Sequence, residues 1–332
     1  MKILIVGLGS IGRRHVNNIK IIRENSPIAV LREHSRNADL GELQPMVCQT
    51  FLELSAARAW QPEIVFVTNP APLHVATALT FAKDNCHLFI EKPLSDSLEG
   101  IDTLLHECEK RRLILTVGYV LRFLEPFQIM RSWIDQGKIG EIMAVHATVG
   151  RYLPEWRPHS DYRNNTSARR NLGGGVVLEL SHELDYVRWL IGEIREVSAF
   201  VDRVSNLEID VEDIAEINLR FENKAMGHIH LDMLDRSPNR SCRIIGTQGT
   251  LCWDFDPHIG LRLFSCATQE WETVWKKETW DYNSMFIAQL EHFFDCIEQQ
   301  KKPLVTGQHG RRIVEIITAV KTSAAQGTMV RI

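Results

Sequence analysis

Gly7-Leu8-Gly9-Ser10-Ile11-Gly12 follows directly on the apolar run Ile3-Leu4-Ile5-Val6 and opens an amphipathic stretch over residues 15–24. A strand, three spaced glycines and a helix, in that order, let a backbone cradle a pyrophosphate. Gly7 makes the tight turn, Gly9 admits the phosphates to the main chain, and Gly12 lets helix and strand pack closely. The phosphates would rest on N–H groups around Ser10 and Ile11, at the positive end of the helix. These residues predict a dinucleotide site at the first strand of a parallel sheet.

Outward from this turn the first third of the chain repeats the same alternation. Apolar runs at 28–31, 64–68, 88–90 and 114–117 read as strands, with helical patterns at 74–83 and 100–111 between them. Short apolar strands alternating with helices give right-handed βαβ units and a sheet covered on both faces. The second of these strands runs into Arg32-Glu33-His34-Ser35-Arg36. A carboxylate about 20 residues past the glycines takes the ribose 2′-hydroxyl of NAD, whereas an arginine accommodates a 2′-phosphate. Arg32, with Ser35 and Arg36, therefore favours NADP; Glu33, one step later, keeps NAD as the alternative.

Beyond residue 119 the pattern changes. A helix at 126–136 and a strand at 142–150 precede a long polar loop, 151–175, and a helix at 177–191. Alternating runs at 196–202, 213–221, 225–231, 241–246, 249–255 and 261–264 then follow through short turns, and two helices close the chain at 285–299 and 310–325. The expected architecture is α/β: an N-terminal Rossmann-type parallel sheet over 1–119, then a C-terminal α+β domain over 120–332 with an open, mostly antiparallel sheet.

Composition sets outer limits. The 332 residues are 44% hydrophobic and 24% charged, which suits a soluble chain able to bury a core without staples. A net charge of −4 offers no global basic field for nucleic acid. Seven scattered cysteines without a Cys-x-x-Cys pair read as ordinary thiols of a reducing compartment. His228 and His230 alternate on a strand without a third ligand, so no metal site is expected. With no signal-peptide pattern and no membrane-length apolar run, the expected location is the cytoplasm.

Further landmarks are Val67-Thr68-Asn69-Pro70 with His74, Glu91-Lys92-Pro93-Leu94, Gly173-Gly174-Gly175, Glu179-Leu180-Ser181-His182-Glu183-Leu184-Asp185 and Pro303-Leu304-Val305-Thr306-Gly307. In this order, from Met1 to Ile332, they resemble the glucose–fructose oxidoreductase, inositol dehydrogenase and rhizopine-catabolism (Gfo/Idh/MocA) family. The resemblance implies hydride transfer between a nicotinamide and a sugar or cyclitol hydroxyl. It places Lys92 beside the nicotinamide and the reacting hydroxyl. Thr68, Asn69, Pro70, His74 and Glu91 fall on the cofactor side, with His74 as a brace. His182 follows as the second acid–base group. The family's helix reads aspartate, three residues, histidine, whereas here Glu179 stands three before His182; either spacing puts both side chains on one helix face. The resemblance also implies a homodimer or homotetramer through the open sheet, whose face would be apolar.

Substrate candidates are Tyr119, Arg122, Trp156, Arg157, Tyr162, Arg163 and Asp185. Over residues 151–170 five arginines face two carboxylates, leaving +3 in a chain of −4. Arginine forks suit carboxylates and phosphates, and aromatic faces suit sugar C–H surfaces. An anionic sugar or nucleotide sugar is the expected substrate. An NAD-using glycosidase working by transient oxidation, or a non-catalytic cofactor sensor, is the alternative.

Overall fold

The computed structural model describes residues 1–32, 40–158, 160–278 and 281–332. The chain divides into two compact units. Residues 1–120 and 283–314 form the first, and residues 121–282 and 315–332 the second.

In the first unit six parallel strands, β1 (Ile3–Val6), β2 (Ile28–Leu31), β3 (Gln49–Phe51), β4 (Ile64–Val67), β5 (His87–Ile90) and β6 (Leu115–Val117), pair in the order β3-β2-β1-β4-β5-β6. The helices between them are α1 (Ser10–Ile22), α2 (Leu54–Ala59), α3 (His74–Lys83) and α4 (Ile101–Lys110). All four residues of β1, β2 and β4 are buried, as a parallel strand packed on both faces requires. Strand order runs outward one way from β1 to β3 and the other way from β4 to β6, so a crevice opens outside the carboxyl ends of β1 and β4.

The first unit takes in residues 283–314 beside 1–120, so neither unit is one continuous stretch of chain. A helix at Ser284–Gln299 belongs to the first unit, where Phe293 stands edge-on to Phe66 and Phe89 at 5.9 and 5.5 Å. Buried phenylalanines of this kind contribute roughly 1.5–3 kcal/mol each, enough to recruit the helix to this core.

The second unit opens with α5 (Glu125–Asp135) and β7 (Ile142–Gly150). After the loop come α6 (Val176–Glu179), α7 (His182–Ile191), β8 (Ile194–Asp202), β9 (Ile214–Phe221), β10 (Met226–Asp232), β11 (Asn239–Gly246), β12 (Gly249–Asp254), β13 (Leu261–Ser265) and β14 (Glu270–Trp275). The chain ends with α8 (Ser284–Gln299, the helix just placed), α9 (Gly307–Gln326) and β15 (Val330–Arg331). Among the described residues nine strands form one sheet in the order β14-β13-β12-β11-β7-β10-β9-β8-β15, with β7 and β10 parallel and the other neighbours antiparallel.

Alternation divides this sheet. Ala147, Ile217 and Ile229 point into the core, where Phe127 and Tyr186 pack near Trp253. The other face carries Phe200 and Met226, both exposed, among His146, Glu216, Asn218, His228 and His230. It is therefore mixed, not the apolar face expected, because polar side chains occupy the alternate positions of β7, β9 and β10.

The expected helix over 177–191 is broken. Hydrogen bonds of α6 end with Glu179 to Gly175 and Leu180 to Val176, and α7 starts afresh at His182. Glu179 and His182 thus stand on different helices, and the shared-face argument does not hold.

Candidate cofactor and catalytic site

The three glycines face different surroundings. Gly7 has φ +90°, its N–H donates to Leu31 O, and an added Cβ would lie 2.8 Å from Asn69 N. A Cβ on Gly12 would collide with Gly7 O and lie 2.9 Å from Thr68 Oγ1. Among the described residues nothing lies within 4 Å of such an atom at Gly9, and Gly9 and Ser10 are exposed while Ile11 is half-buried. Gly7 and Gly12 serve the turn, and Gly9 leaves an open cradle at the start of α1.

Thr68, at the carboxyl end of β4, donates its hydroxyl toward Gly7 O at 2.6 Å and Val6 O at 3.0 Å. It therefore braces the glycine turn from behind. Asn69 donates to Thr77 Oγ1 at 3.0 Å, while its buried Oδ1 has no partner among the described residues. Pro70 is half-buried and caps a short turn at Ala71–Leu73. His74 is buried, with Nε2 2.7 Å from Asn69 O and Nδ1 2.9 Å from Pro93 O. Burial lowers its pKa against the pull of the two carbonyls. It straps the loop after β4 to the loop after β5.

Lys92 follows β5 and is half-buried. Its backbone N–H donates to Glu91 Oε2 at 3.2 Å, and His15 Nε2 lies 2.7 Å from Glu91 Oε1. The Glu91 carboxylate thus bridges α1 to the Lys92 main chain instead of reaching outward. His15 was not foreseen; its signal was a histidine three residues after Gly12, on the buried side of α1. Arg32 is half-buried directly after β2, its N–H bound to Phe51 O. Ser35 and Arg36, like Glu33, lie outside the described residues.

In the second unit His182 opens α7 half-buried, and Glu179 is half-buried at the end of α6. Arg122 and Asp185 face each other: Nε to Oδ2 is 2.9 Å and Nη2 to Oδ1 is 2.7 Å, both side chains buried. Tyr119, in the first unit, is fully buried. Tyr119, Arg122 and Asp185, expected to touch substrate, are thus all buried.

The arginine-rich loop is also self-satisfied. Arg163 binds both oxygens of Asp161 and reaches Glu208 at 3.4 Å, while Arg170 donates to Asp210 O. Arg169 lies 3.9 Å from Asp210. Carboxylates from residues 208–210 offset the loop's expected surplus. Arg157 is exposed and has no side-chain partner among the described residues. Trp156 donates to Arg151 O, and Tyr162 accepts from the Glu208 N–H, both half-buried. His228 and His230 both meet Glu216, and no group of three or more metal-ligating side chains occurs among the described residues. Nor, among those residues, is any helix long and apolar enough to cross a membrane.

An open phosphate cradle at the switch point of a parallel sheet, with a lysine at the same sheet edge, defines a dinucleotide-binding protein of the Rossmann class. Residues 1–119 match the oxidoreductase family with an NAD-binding Rossmann fold, GFO/IDH/MocA, and residues 127–252 match the GFO/IDH/MocA C-terminal domain. The chain belongs to this oxidoreductase family. It is 25% identical to the myo-inositol 2-dehydrogenase of Thermotoga maritima over 100% of this chain and 98% of that protein. Levoglucosan dehydrogenase, solved in complex with NADH, has the same fold at a TM-score of 0.89, with 18% identity over 100% of this chain and 98% of the other. The WlbA dehydrogenase from Bordetella pertussis, in complex with NADH and UDP-GlcNAcA, follows at 0.83 and 22% identity, again over 100% and 98%.

Proposed function

We propose that this protein is an NAD(P)-dependent dehydrogenase or reductase of a sugar or cyclitol CH–OH group. The observation that carries the reading is the open cradle at Gly9 on the sheet edge where Lys92 emerges. The unpartnered, buried Asn69 Oδ1 suits the same ligand, since a buried acceptor left alone costs about 1–3 kcal/mol. Gly7, Gly9, Ser10, Ile11 and Gly12 would hold the pyrophosphate, and Asn69 and Pro70 the neighbouring edge. The bound nicotinamide would accept or supply the hydride. Lys92 would take or return the hydroxyl proton or polarise the oxygen, with His182 as the acid–base group of the second unit.

Arg32 directly after β2 supports a preference for NADPH over NADH. The anionic-substrate reading now rests on the exposed Arg157 and on likeness to a protein crystallised with an acidic nucleotide sugar. Assembly as a homodimer or homotetramer would use the mixed open face of the sheet.

One assay tests the reading. Nicotinamide absorbance is followed with a panel of cyclitols, neutral sugars, uronic acids and nucleotide sugars, with each cofactor in turn. Net turnover that Lys92→Ala abolishes, with cofactor binding retained, is the expected result. Full turnover in Lys92→Ala removes the role given to that residue. Aglycone release without net cofactor change points instead to the glycosidase chemistry.

A further inference from the structure

His182 occupies the first position of α7, just past a turn in which the Glu183 N–H donates to Leu180 O. The preceding helix stops at Glu179, and the Leu180-Ser181 turn joins it to α7. A side chain so placed would inherit the fraying of a helix terminus. Yet the next residues, Glu183 and Asp185, are both buried carboxylates.

Each meets one arginine through two bonds. Arg240, on β11, donates from Nε to Glu183 Oε1 at 2.7 Å and from Nη2 to Oε2 at 3.0 Å. Arg122 binds Asp185 in the same fork-to-fork manner. Arg122 also lies 5.5 Å from the Trp189 ring, one turn further along α7, so it grips two levels of one helix. At about 100° per residue, positions 183 and 185 lie on either side of the direction taken by 182. The helix is therefore held from both flanks at the turn that presents His182.

Stability alone does not explain the arrangement. Taking two ion pairs out of water costs several kcal/mol per ion, and apolar pairs of equal volume commonly hold a fold as well or better. What paired forks supply is fixed geometry, because two parallel bonds allow one mutual orientation.

We propose that Arg240–Glu183 and Arg122–Asp185 are a two-sided clamp, and that these four are positioning residues that set the aim of His182. The assignment rests on the acid–base role given to His182. It replaces the substrate-binding role expected for Arg122 and Asp185, and it gives Arg240 a function.

The test removes both members of a pair, so that no buried charge is orphaned: Arg240→Met with Glu183→Leu, and separately Arg122→Met with Asp185→Leu. Thermal midpoints at or above the unmodified protein's are expected, together with a loss in kcat of about 10²-fold and little change in KM, the scale of a small misplacement. The NMR titration of the His182 ring should shift in the same variants. Arg240→Lys, which keeps the charge and loses the fork, serves where a double variant does not fold, with a smaller fall in kcat expected. In a His182→Ala background the same replacements should cost nothing further, since the group they aim is gone. Unchanged turnover and an unchanged His182 titration in the clamp variants would overturn the proposal, as would losses of equal size with and without His182. Normal turnover in His182→Ala alone would instead remove the acid–base role, and the clamp with it.

Discussion

Gly9 and Gly12 carry the same side chain and do opposite work. A methyl group on Gly12 meets Gly7 O and Thr68 Oγ1, so α1 must shift away from β1. Overpacking of that kind costs about 1–3 kcal/mol. A methyl group on Gly9 meets no atom of the described residues within 4 Å. Gly12→Ala should therefore lower both thermal stability and cofactor binding, whereas Gly9→Ala should keep the melting temperature and still lose affinity. Calorimetric titration with NADH and NADPH beside a melting curve checks this, and unchanged affinity in Gly9→Ala would show that the cradle holds no phosphate. These glycine roles were legible in the sequence because local geometry dictates them. The Arg122 pair and the second contact of Arg163 were not, since the carboxylates concerned, Asp185 and Glu208, lie 63 and 45 residues away. Spacing within a loop says nothing about which distant acid the fold will bring to it.

Among the elements, readability followed the strength of the period. Four-residue apolar runs marked β1, β2 and β4, and alternation marked β9 and β10, with burial alternating along the whole of β9. Missed were β3, only three residues long, and β14, a charged edge strand with most side chains exposed. The break before α7 was invisible because Leu180-Ser181 contains neither glycine nor proline and the apolar pattern continues across it. The β9–β10 ladder carries a further consequence. His230 lies between Asp232 on its own strand and Glu216 on β9, with His228 sharing Glu216, and the Asp232 and Glu216 carboxylates hold its pKa up at about 9. A pKa raised on folding stabilises most when the ring is charged in both states, below about 6.5, and the benefit fades as pH rises through about 9. The stability gap between the unmodified protein and His230→Gln should therefore narrow over that interval. Urea midpoints across the series measure it, and a gap constant with pH would show that the carboxylates do not hold the proton.

At the scale of the whole molecule, the chain leaves its first unit near residue 120 and returns for residues 283–314. No composition change marks that return, because α8 is an amphipathic helix whose pattern would suit either core. The nine-stranded sheet raises a different question, since one face is packed and the other carries exposed Phe200 and Met226 between histidines and Glu216. Exposed apolar side chains set among polar ones are the composition of a non-obligate interface. A two-fold pairing of such faces needs roughly 800 Å² from each copy, which a sheet of this width can supply. The expected state is a homodimer or homotetramer in sedimentation at micromolar concentration. Phe200→Glu with Met226→Glu should give a monomer, since each copy then presents new carboxylates to its mate, and like charges across a buried contact cost several kcal/mol. Cofactor binding by the first unit should survive that change, which separates lost assembly from lost folding. A monodisperse monomer from the unmodified chain would show that this face meets water alone.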